Sequence, residues 1–206
     1  MFETIINQYK NIPNWQIAIE IIVFVFGIWS VYLAKKENIL LYPTGLIATI
    51  LFVYLMYDAK YYADMSINIY YTFMSFYGWY QWKKGNNGEE LHITRTTTKE
   101  KIIGVILFFL TAIICVLIYQ FFDYTLQINN YLDIFTASIY FTAMWYMARK
   151  KIENWILWII GDAIALFMFF DRQLYIIALQ YIIFTILAIS AYIEWKKHLA
   201  KQIYNK

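Results

Sequence analysis

The chain has 206 residues and a net charge of +3, with 62% hydrophobic and 15% charged residues. A soluble domain usually has about 45–50% apolar and about 25% charged residues, so this composition excludes an ordinary soluble protein. The apolar surplus recurs along the whole chain, which excludes a soluble domain with one targeting segment.

The first long apolar run begins at residue 15, so residues 1–14 are predicted as a short external segment. This segment lacks the basic region, short apolar core and small-residue cleavage site that together mark a secretory signal peptide. We therefore expect no leader to be removed.

Seven apolar runs follow. A helix needs about 20 apolar residues to cross a hydrocarbon core of about 30 Å. The predicted spans are 15–34, 38–57, 61–82, 102–122, 130–148, 152–170 and 173–195, of which the third and seventh contain the most polar residues. We predict an all-α polytopic membrane protein that crosses the lipid bilayer seven times.

The cations lie mostly on one side of these spans. Of the 17 Lys and Arg residues, 14 follow the first, third, fifth and seventh spans, which leaves Lys10, Lys60 and Arg172 opposite. Cytoplasmic loops are enriched in such residues. The N-terminus is therefore predicted outside, and the linker 83–101 and the tail 196–206 inside the cell. The charge is a topology signal, and we expect no binding of nucleic acid.

A weak internal repeat divides the chain. At an offset of 113 residues, the WKK at 82–84 matches the WKK at 195–197. The predicted repeats are the three-helix segments 15–82 and 130–195, separated by the linker helix 102–122. Three crossings reverse the chain, so one additional crossing lets both repeats face the same way. This predicts a 3+1+3 arrangement of parallel repeats, with a substrate near the membrane midplane between them.

One polar face stands out within the sixth span. Trp155, Trp158 and Asp162 are spaced i, i+3 and i+7, so they project from one side of a helix over about 10 Å. An ionisable residue at this depth usually faces a partner or a water-filled cavity. Tryptophan rings attract cations and stack on flat rings. The face suits a planar, positively charged or polar heterocycle, and the alternative is a structural pair between Asp162 and a neighbouring span.

Residues on two other spans are candidates to complete the pocket. They are Asn68 and Tyr71 on the third span, and Gln180, Tyr181 and Phe184 on the seventh. The two amides need partners in lipid, so each is either a ligand contact or an interhelical hydrogen bond.

Two other classes of protein are considered. Tyr57-Asp58 and Gly161-Asp162 superficially resemble the paired aspartates of intramembrane aspartyl proteases. The second motif has Ile159 where a glycine is expected, and Asp58 falls at the outer end of its span, far in depth from Asp162. Both observations argue against a protease. A structural membrane protein without a ligand accounts for the spans but not for the polar face.

Metal and cofactor sites are not predicted. The single Cys115 lies among apolar residues and has no partner for a disulfide. His92 and His198 lie in polar flanks and are predicted as surface histidines. We therefore expect no metal, no cofactor and no catalytic residues, in a protein that is not an enzyme.

Three motifs together resemble the PnuC family of vitamin transporters. They are YPTG at 42–45, Asp64 and Asn68 followed by GWYQW at 78–82, and NWxxWxxxD at 154–162. The resemblance covers about residues 20–197. The second half departs from the family pattern at 191–192, where Ala-Tyr stands in place of the common Gly-Tyr.

The resemblance implies a fold related to the SWEET sugar transporters, in the bacterial cytoplasmic membrane. It implies uptake of nicotinamide riboside by facilitated diffusion without a coupling ion, made one-way by phosphorylation inside the cell. It also implies a homo-oligomer, such as a trimer. Family members move thiamine or riboflavin as well. Nicotinamide riboside and thiamine both carry a ring cation, so thiamine remains the alternative substrate.

The family's binding region lies on the third, sixth and seventh spans. By motif position it corresponds here to Asn68, Tyr71, Trp155, Trp158, Asp162, Gln180, Tyr181 and Phe184.

Overall fold

The computed structural model describes residues 13–58, 62–85, 91–121, 128–171 and 175–204. These residues form seven helices: α1 (Asn14–Lys35), α2 (Leu41–Asp58), α3 (Tyr62–Lys84), α4 (Thr98–Phe121), α5 (Ile128–Ala148), α6 (Glu153–Asp171) and α7 (Tyr175–Tyr204). The prediction of an all-α polytopic protein is confirmed. The predicted external segment 1–14 lies outside the described residues apart from its last two positions.

Five helices are long and apolar enough to cross a membrane by length and composition, namely α1, α2, α4, α6 and residues 177–202 of α7. α3 and α5 are more polar. In α5 the polar side chains Thr136, Ser138 and Thr142 are buried within the bundle. The hydroxyl of Ser138 donates to the carbonyl of Ile134 at 2.7 Å, as expected for a hydroxyl with no access to water.

Two helix boundaries differ from the predicted spans. α7 has 30 residues and continues through most of the predicted tail. At about 1.5 Å per residue it is about 45 Å long, longer than a hydrocarbon core of about 30 Å. α4 begins at Thr98, four positions before the predicted span, because a capping box starts it. The Glu100 carboxylate accepts from the backbone N–H of Thr97, and the Thr97 hydroxyl accepts from the backbone N–H of Glu100.

The described part of the predicted linker is fixed against the loop between α5 and α6. The backbone N–H of Thr94 donates to the carbonyl of Lys150 at 3.1 Å, and the N–H of Ile152 donates back to the carbonyl of Thr94 at 3.0 Å. Ile93 beside them is fully buried. Glu100 adds an ion pair with Lys151 at 2.9 Å. The start of α4 is thus attached to the second predicted repeat.

Two tryptophans join the predicted repeats at the end of the bundle where α1, α3 and α5 terminate, called here the lysine-rich end. The indole N–H of Trp82 donates to the carbonyl of Met147, and that of Trp195 donates to the carbonyl of Ala34, both at 3.2 Å. Trp82 and Trp195, like Ala34 and Met147, are 113 positions apart. The two bonds are therefore reciprocal under the offset of the predicted repeat.

Two aromatic pairs follow the same offset. Tyr42 packs edge-on against Trp82 at 5.3 Å, and Trp155 packs edge-on against Trp195 at 5.4 Å, each with an interplanar angle of 89°. The contacts recur as the predicted repeat requires. The 3+1+3 arrangement and the SWEET-like relation of the two repeats remain predictions.

An ion pair lies beside these rings. Glu37 and Lys150, also 113 positions apart, approach to 3.2 Å, and Lys150 lies over the Trp82 ring at 4.4 Å. Both residues have left-handed backbone, with φ of 55° and 50°, at helix ends where glycine is usual. A non-glycine residue there costs about 1–2 kcal/mol. We refer to Glu37, Trp82, Lys150 and Trp195 as the cross-repeat cluster.

Candidate functional site

Asp162 lies in the middle of α6 and is 4% exposed. Its Oδ1 accepts a hydrogen bond of 3.1 Å from the hydroxyl of Tyr140 on α5. Within the described ranges, the ion pairs involve Glu37, Glu100 and Glu194, and none includes Asp162. The carboxylate therefore has a hydrogen-bond donor but no cationic side chain of the described chain to balance its charge.

Tyr140 reaches Asp162 because the residue directly before Asp162 on α6 is Gly161. A Cβ at Gly161 would overlap the ring of Tyr140, so only glycine lets this ring lie against the α6 backbone. The same ring stacks on Trp158, with centroids 5.1 Å apart and an interplanar angle of 28°. One tyrosine thus contacts both residues that the sequence places one turn apart on α6.

α3 closes another side of the site. Tyr71 lies tilted against Trp158 at 6.5 Å. The neighbouring Tyr70 stacks on Phe141 of α5 at 3.7 Å, and its hydroxyl donates to the Phe141 carbonyl at 3.1 Å. α3 is therefore held against α5 beside the Tyr140 ring.

The indole N–H of Trp158 is buried and has no hydrogen-bond partner in the part of the chain that the structure describes. A buried donor without a partner is unfavourable by about 1–3 kcal/mol. A polar group of a ligand, or a water molecule, would remove this penalty. Trp158 therefore offers an aromatic face and an unused donor next to the carboxylate.

α7 contributes through Tyr181. Its ring stacks on Phe169 of α6 at 5.3 Å, and Phe184 packs edge-on against it at 6.1 Å. Tyr181 therefore lies where α7 packs against α6.

Gln180 and Phe184 also border α1. A Cβ added to Gly27 would lie 3.9 Å from Nε2 of Gln180 and 3.8 Å from the tip of Phe184. Asn68 on α3 is half-buried, and its carbonyl accepts from the Thr72 hydroxyl at 2.9 Å. Contact of these two amides with a ligand stays a prediction.

Trp155 lies elsewhere. It is 1% exposed and belongs to the apolar core at the lysine-rich end, where it packs against Trp195. The structure thus brings Tyr71, Trp158 and Asp162 together around Tyr140. It places Tyr181 at the contact between α6 and α7, and Trp155 in the adjoining core. The predicted contact of Trp155 with a ligand is not tested by this placement.

Sequence reasoning missed Tyr140. Its position within a span carries no motif, but the repeat offers a signal. The positions 113 residues before Tyr140, Trp158 and Asp162 hold Gly27, Gly45 and Thr49. The site residues of the second predicted repeat thus correspond to smaller residues in the first. Tyr140 shows the same asymmetry as Trp158 and Asp162.

Asp58 is not part of the site. It is the last residue of α2 and exposed, whereas Asp162 is buried in the middle of α6. A shared proton requires two carboxylates in contact. The structure therefore gives no support to the paired aspartates of a protease.

Comparisons with known proteins identify the family of the chain. The family model described as "Nicotinamide mononucleotide transporter" matches residues 17–197. The chain is 26% identical over 201 residues to proteins named "Nicotinamide riboside transporter PnuC" from Escherichia coli (strain K12) and from Shigella flexneri. These alignments cover 86% of this chain and 84% of each relative.

A solved structure titled "Crystal structure of the Vitamin B3 transporter PnuC" matches with a TM-score of 0.73 and 22% identity. The match covers 93% of this chain and 84% of that one, and it supports the helical fold. The resemblance to PnuC proteins seen in the motifs is confirmed. Because the family model spans nearly all of the described helices, the chain belongs to the family described as nicotinamide mononucleotide transporters.

Proposed function

We propose that this protein takes up nicotinamide riboside across the bacterial inner membrane by facilitated diffusion, and that phosphorylation inside the cell traps the vitamin. The observation that carries the substrate is the Asp162 carboxylate, buried beside the rings of Trp158 and Tyr140 with no cationic side chain of the described chain against it. A buried charge needs a partner. The pyridinium ring of nicotinamide riboside supplies a positive charge and a flat face together.

The site favours the riboside over the mononucleotide named in the family description. The mononucleotide adds a phosphate with up to two negative charges, which a nearby carboxylate repels. Among the described residues, the buried lysine is Lys150, which pairs with Glu37 at the lysine-rich end. The curated relatives are named as riboside transporters, in agreement with this choice.

The scarcity of buried charge supports passive transport. The buried charged side chains of the described ranges are Glu100, Lys150 and Asp162. Glu100 and Lys150 lie at helix ends, which leaves Asp162 alone in the middle of a span. Proton-driven transporters use chains of titratable residues within the membrane. One carboxylate that balances a substrate cation does not form such a chain.

Thiamine is the second candidate. Its thiazolium ring is also a flat cation, so the same carboxylate and the same indole face accommodate it. The two vitamins differ in the group attached to the ring, a ribose in one and a pyrimidine in the other. A protease function is not proposed, since the relatives are named as transporters.

Two measurements on purified protein test the proposal. Calorimetric titration with nicotinamide riboside, nicotinamide mononucleotide, thiamine and riboflavin is expected to show tightest binding of the riboside. Proteoliposomes should then take up labelled riboside only until both sides have equal concentration. Tighter binding of thiamine would make thiamine the substrate in place of nicotinamide riboside. Accumulation driven by a proton or sodium gradient would exclude facilitated diffusion.

The proposed orientation places the N-terminus outside and the C-terminus in the cytoplasm, supported by the 14 of 17 cations on that side. Assembly as a homo-oligomer, such as a trimer, is a further proposal from the family resemblance. Native mass spectrometry in mild detergent measures the number of copies directly, and a purely monomeric species would contradict it.

A further inference from the structure

We propose that Tyr140 is the positioning residue for the charge-recognising carboxylate: it fixes one oxygen of Asp162 so that the other meets the positive ring of the vitamin. This role rests on the proposed function, because it assumes a cationic substrate. It gives α5 a part in selectivity, whereas the site residues predicted from the sequence lie on α3, α6 and α7.

Tyr140 is held at both ends. Its hydroxyl donates to Oδ1 of Asp162 at 3.1 Å, and its ring stacks on Trp158 with centroids 5.1 Å apart. The absence of a Cβ at Gly161 lets the ring lie against α6 between these contacts. A phenol anchored in this way restricts the rotamers of both the carboxylate and the indole.

The two carboxylate oxygens of Asp162 differ in their hydrogen bonding. Tyr140 supplies Oδ1 with a donor, and no described residue donates to Oδ2. A carboxylate accepts several hydrogen bonds, so half of its capacity is unused. The indole N–H of Trp158, one turn earlier on α6, also has no hydrogen-bond partner among the described residues. The hydrogen bond to Oδ1 therefore leaves one acceptor, one donor and a flat surface for the ligand.

The simpler explanation is that Tyr140 only holds α5 against α6. The two explanations differ in what the hydroxyl does. A purely structural tyrosine supports binding of every ligand equally, whereas a residue that orients a charge supports only the charged form. Reduced nicotinamide riboside has the same skeleton without the ring charge, so the two forms separate the explanations.

The experiment is a double-mutant cycle on the full-length protein with wild type, Tyr140→Phe, Asp162→Asn and the double variant. Tyr140→Phe keeps the ring against Trp158 and removes the hydroxyl. Loss of a hydrogen bond to a charged group predicts about tenfold weaker binding of oxidised riboside. Reduced riboside should change by less than about twofold. In the Asp162→Asn background, Tyr140→Phe should add less than about twofold, because the two residues act as a unit.

Two further variants complete the design. Gly161→Ala displaces the ring of Tyr140 and should reproduce the selective loss of the oxidised form. Tyr131→Phe removes a hydroxyl from an exposed tyrosine of the same helix and should change neither affinity. Melting curves of each variant report whether the protein remains folded.

The outcomes are distinguishable. The positioning role would be overturned if Tyr140→Phe lowers the affinity for both riboside forms equally. It would also be overturned if the fold-losses of Tyr140→Phe and Asp162→Asn multiply in the double variant, as expected for independent residues. Either result leaves the proposed function intact. Unchanged affinity of Tyr140→Phe would likewise overturn the positioning role and leave the proposed function intact. If wild type binds thiamine and not the riboside, the cycle with thiamine decides the role. If wild type binds none of these vitamins, the proposed function fails and the positioning role fails with it.

Discussion

Glu37 and Lys150 form an ion pair of 3.2 Å between positions related by the offset of the predicted repeat. Each has the left-handed backbone that usually selects glycine. His198 of α7 contacts the same carboxylate at 2.6 Å, so three segments of the chain meet at Glu37. Charged side chains thus occupy two positions whose backbone favours glycine, and their contacts join the ends of α1 and α5 to α7.

We predict that Lys150→Gln lowers the free energy of unfolding by about 2–3 kcal/mol, because it leaves Glu37 without its buried partner. The matched control is Lys36→Gln, which removes an exposed pair with Glu194 and should leave the melting temperature nearly unchanged. Thermal melting in detergent compares the two. Equal effects of both variants would show that burial of the pair is unimportant.

The backbone contribution can be isolated at the same place. Glu37→Gly and Glu37→Ala both remove the charge, but glycine accepts a φ of 55° without strain. Glu37→Gly is therefore expected to be about 1 kcal/mol more stable than Glu37→Ala in the same melting assay. A more stable alanine variant would contradict the left-handed conformation.

The reciprocal indole bonds predict matched losses. Trp82→Phe and Trp195→Phe each remove a donor from a buried site while keeping an aromatic ring, so each should destabilise the protein by about 1–2 kcal/mol. Trp29→Phe, at an exposed position of α1, is the control and should have little effect. A loss confined to one of the two variants would mean that the hydrogen bonds are not equivalent.

The two tryptophans of α6 should respond differently to truncation. Trp158→Ala removes a ring from the Asp162 site, so affinity for the riboside should fall about tenfold or more. Trp155→Ala removes a core side chain and should lower stability by about 3 kcal/mol with a smaller change in affinity of the folded protein. Titration and melting of both variants decide the matter, and the larger affinity loss at Trp155 would place the ligand nearer the lysine-rich end.

Cysteine labelling tests the proposed orientation. In a Cys115→Ala background, a cysteine placed at the exposed position His92 should react with a membrane-impermeant maleimide only after the cells are opened. Reaction in intact cells would reverse the orientation.

The fold was largely predictable because each helix carries its own signal. Apolar length gave seven helices, and the capping residues Thr97 and Glu100 explain why α4 starts before its apolar run. The predicted seventh span is shorter than α7 because the apolar run ends near Trp195, whereas the helix continues to Tyr204. Hydropathy identifies the part of a helix that lies in lipid, whereas backbone hydrogen bonds extend the helix beyond that part.

The site was only partly predictable. Helical spacing predicts that Trp158 and Asp162 share one face of α6, and both residues contact Tyr140. It could not separate Trp155 from them, because the neighbours at each depth come from other helices. Tyr140 depends on contacts between α5 and α6 that no local pattern encodes.

Each predicted repeat supplies an indole donor whose acceptor belongs to the other, across 65 positions for Trp82 and Met147 and 161 for Trp195 and Ala34. A chain divided between α3 and α4 would therefore give two fragments, each with a buried indole donor whose hydrogen-bond acceptor lies in the other fragment. Such fragments should be recovered together when co-expressed and be degraded when produced singly. For the same reason, a substitution at either tryptophan removes a hydrogen bond from the other predicted repeat, so the two predicted repeats are not independent in stability.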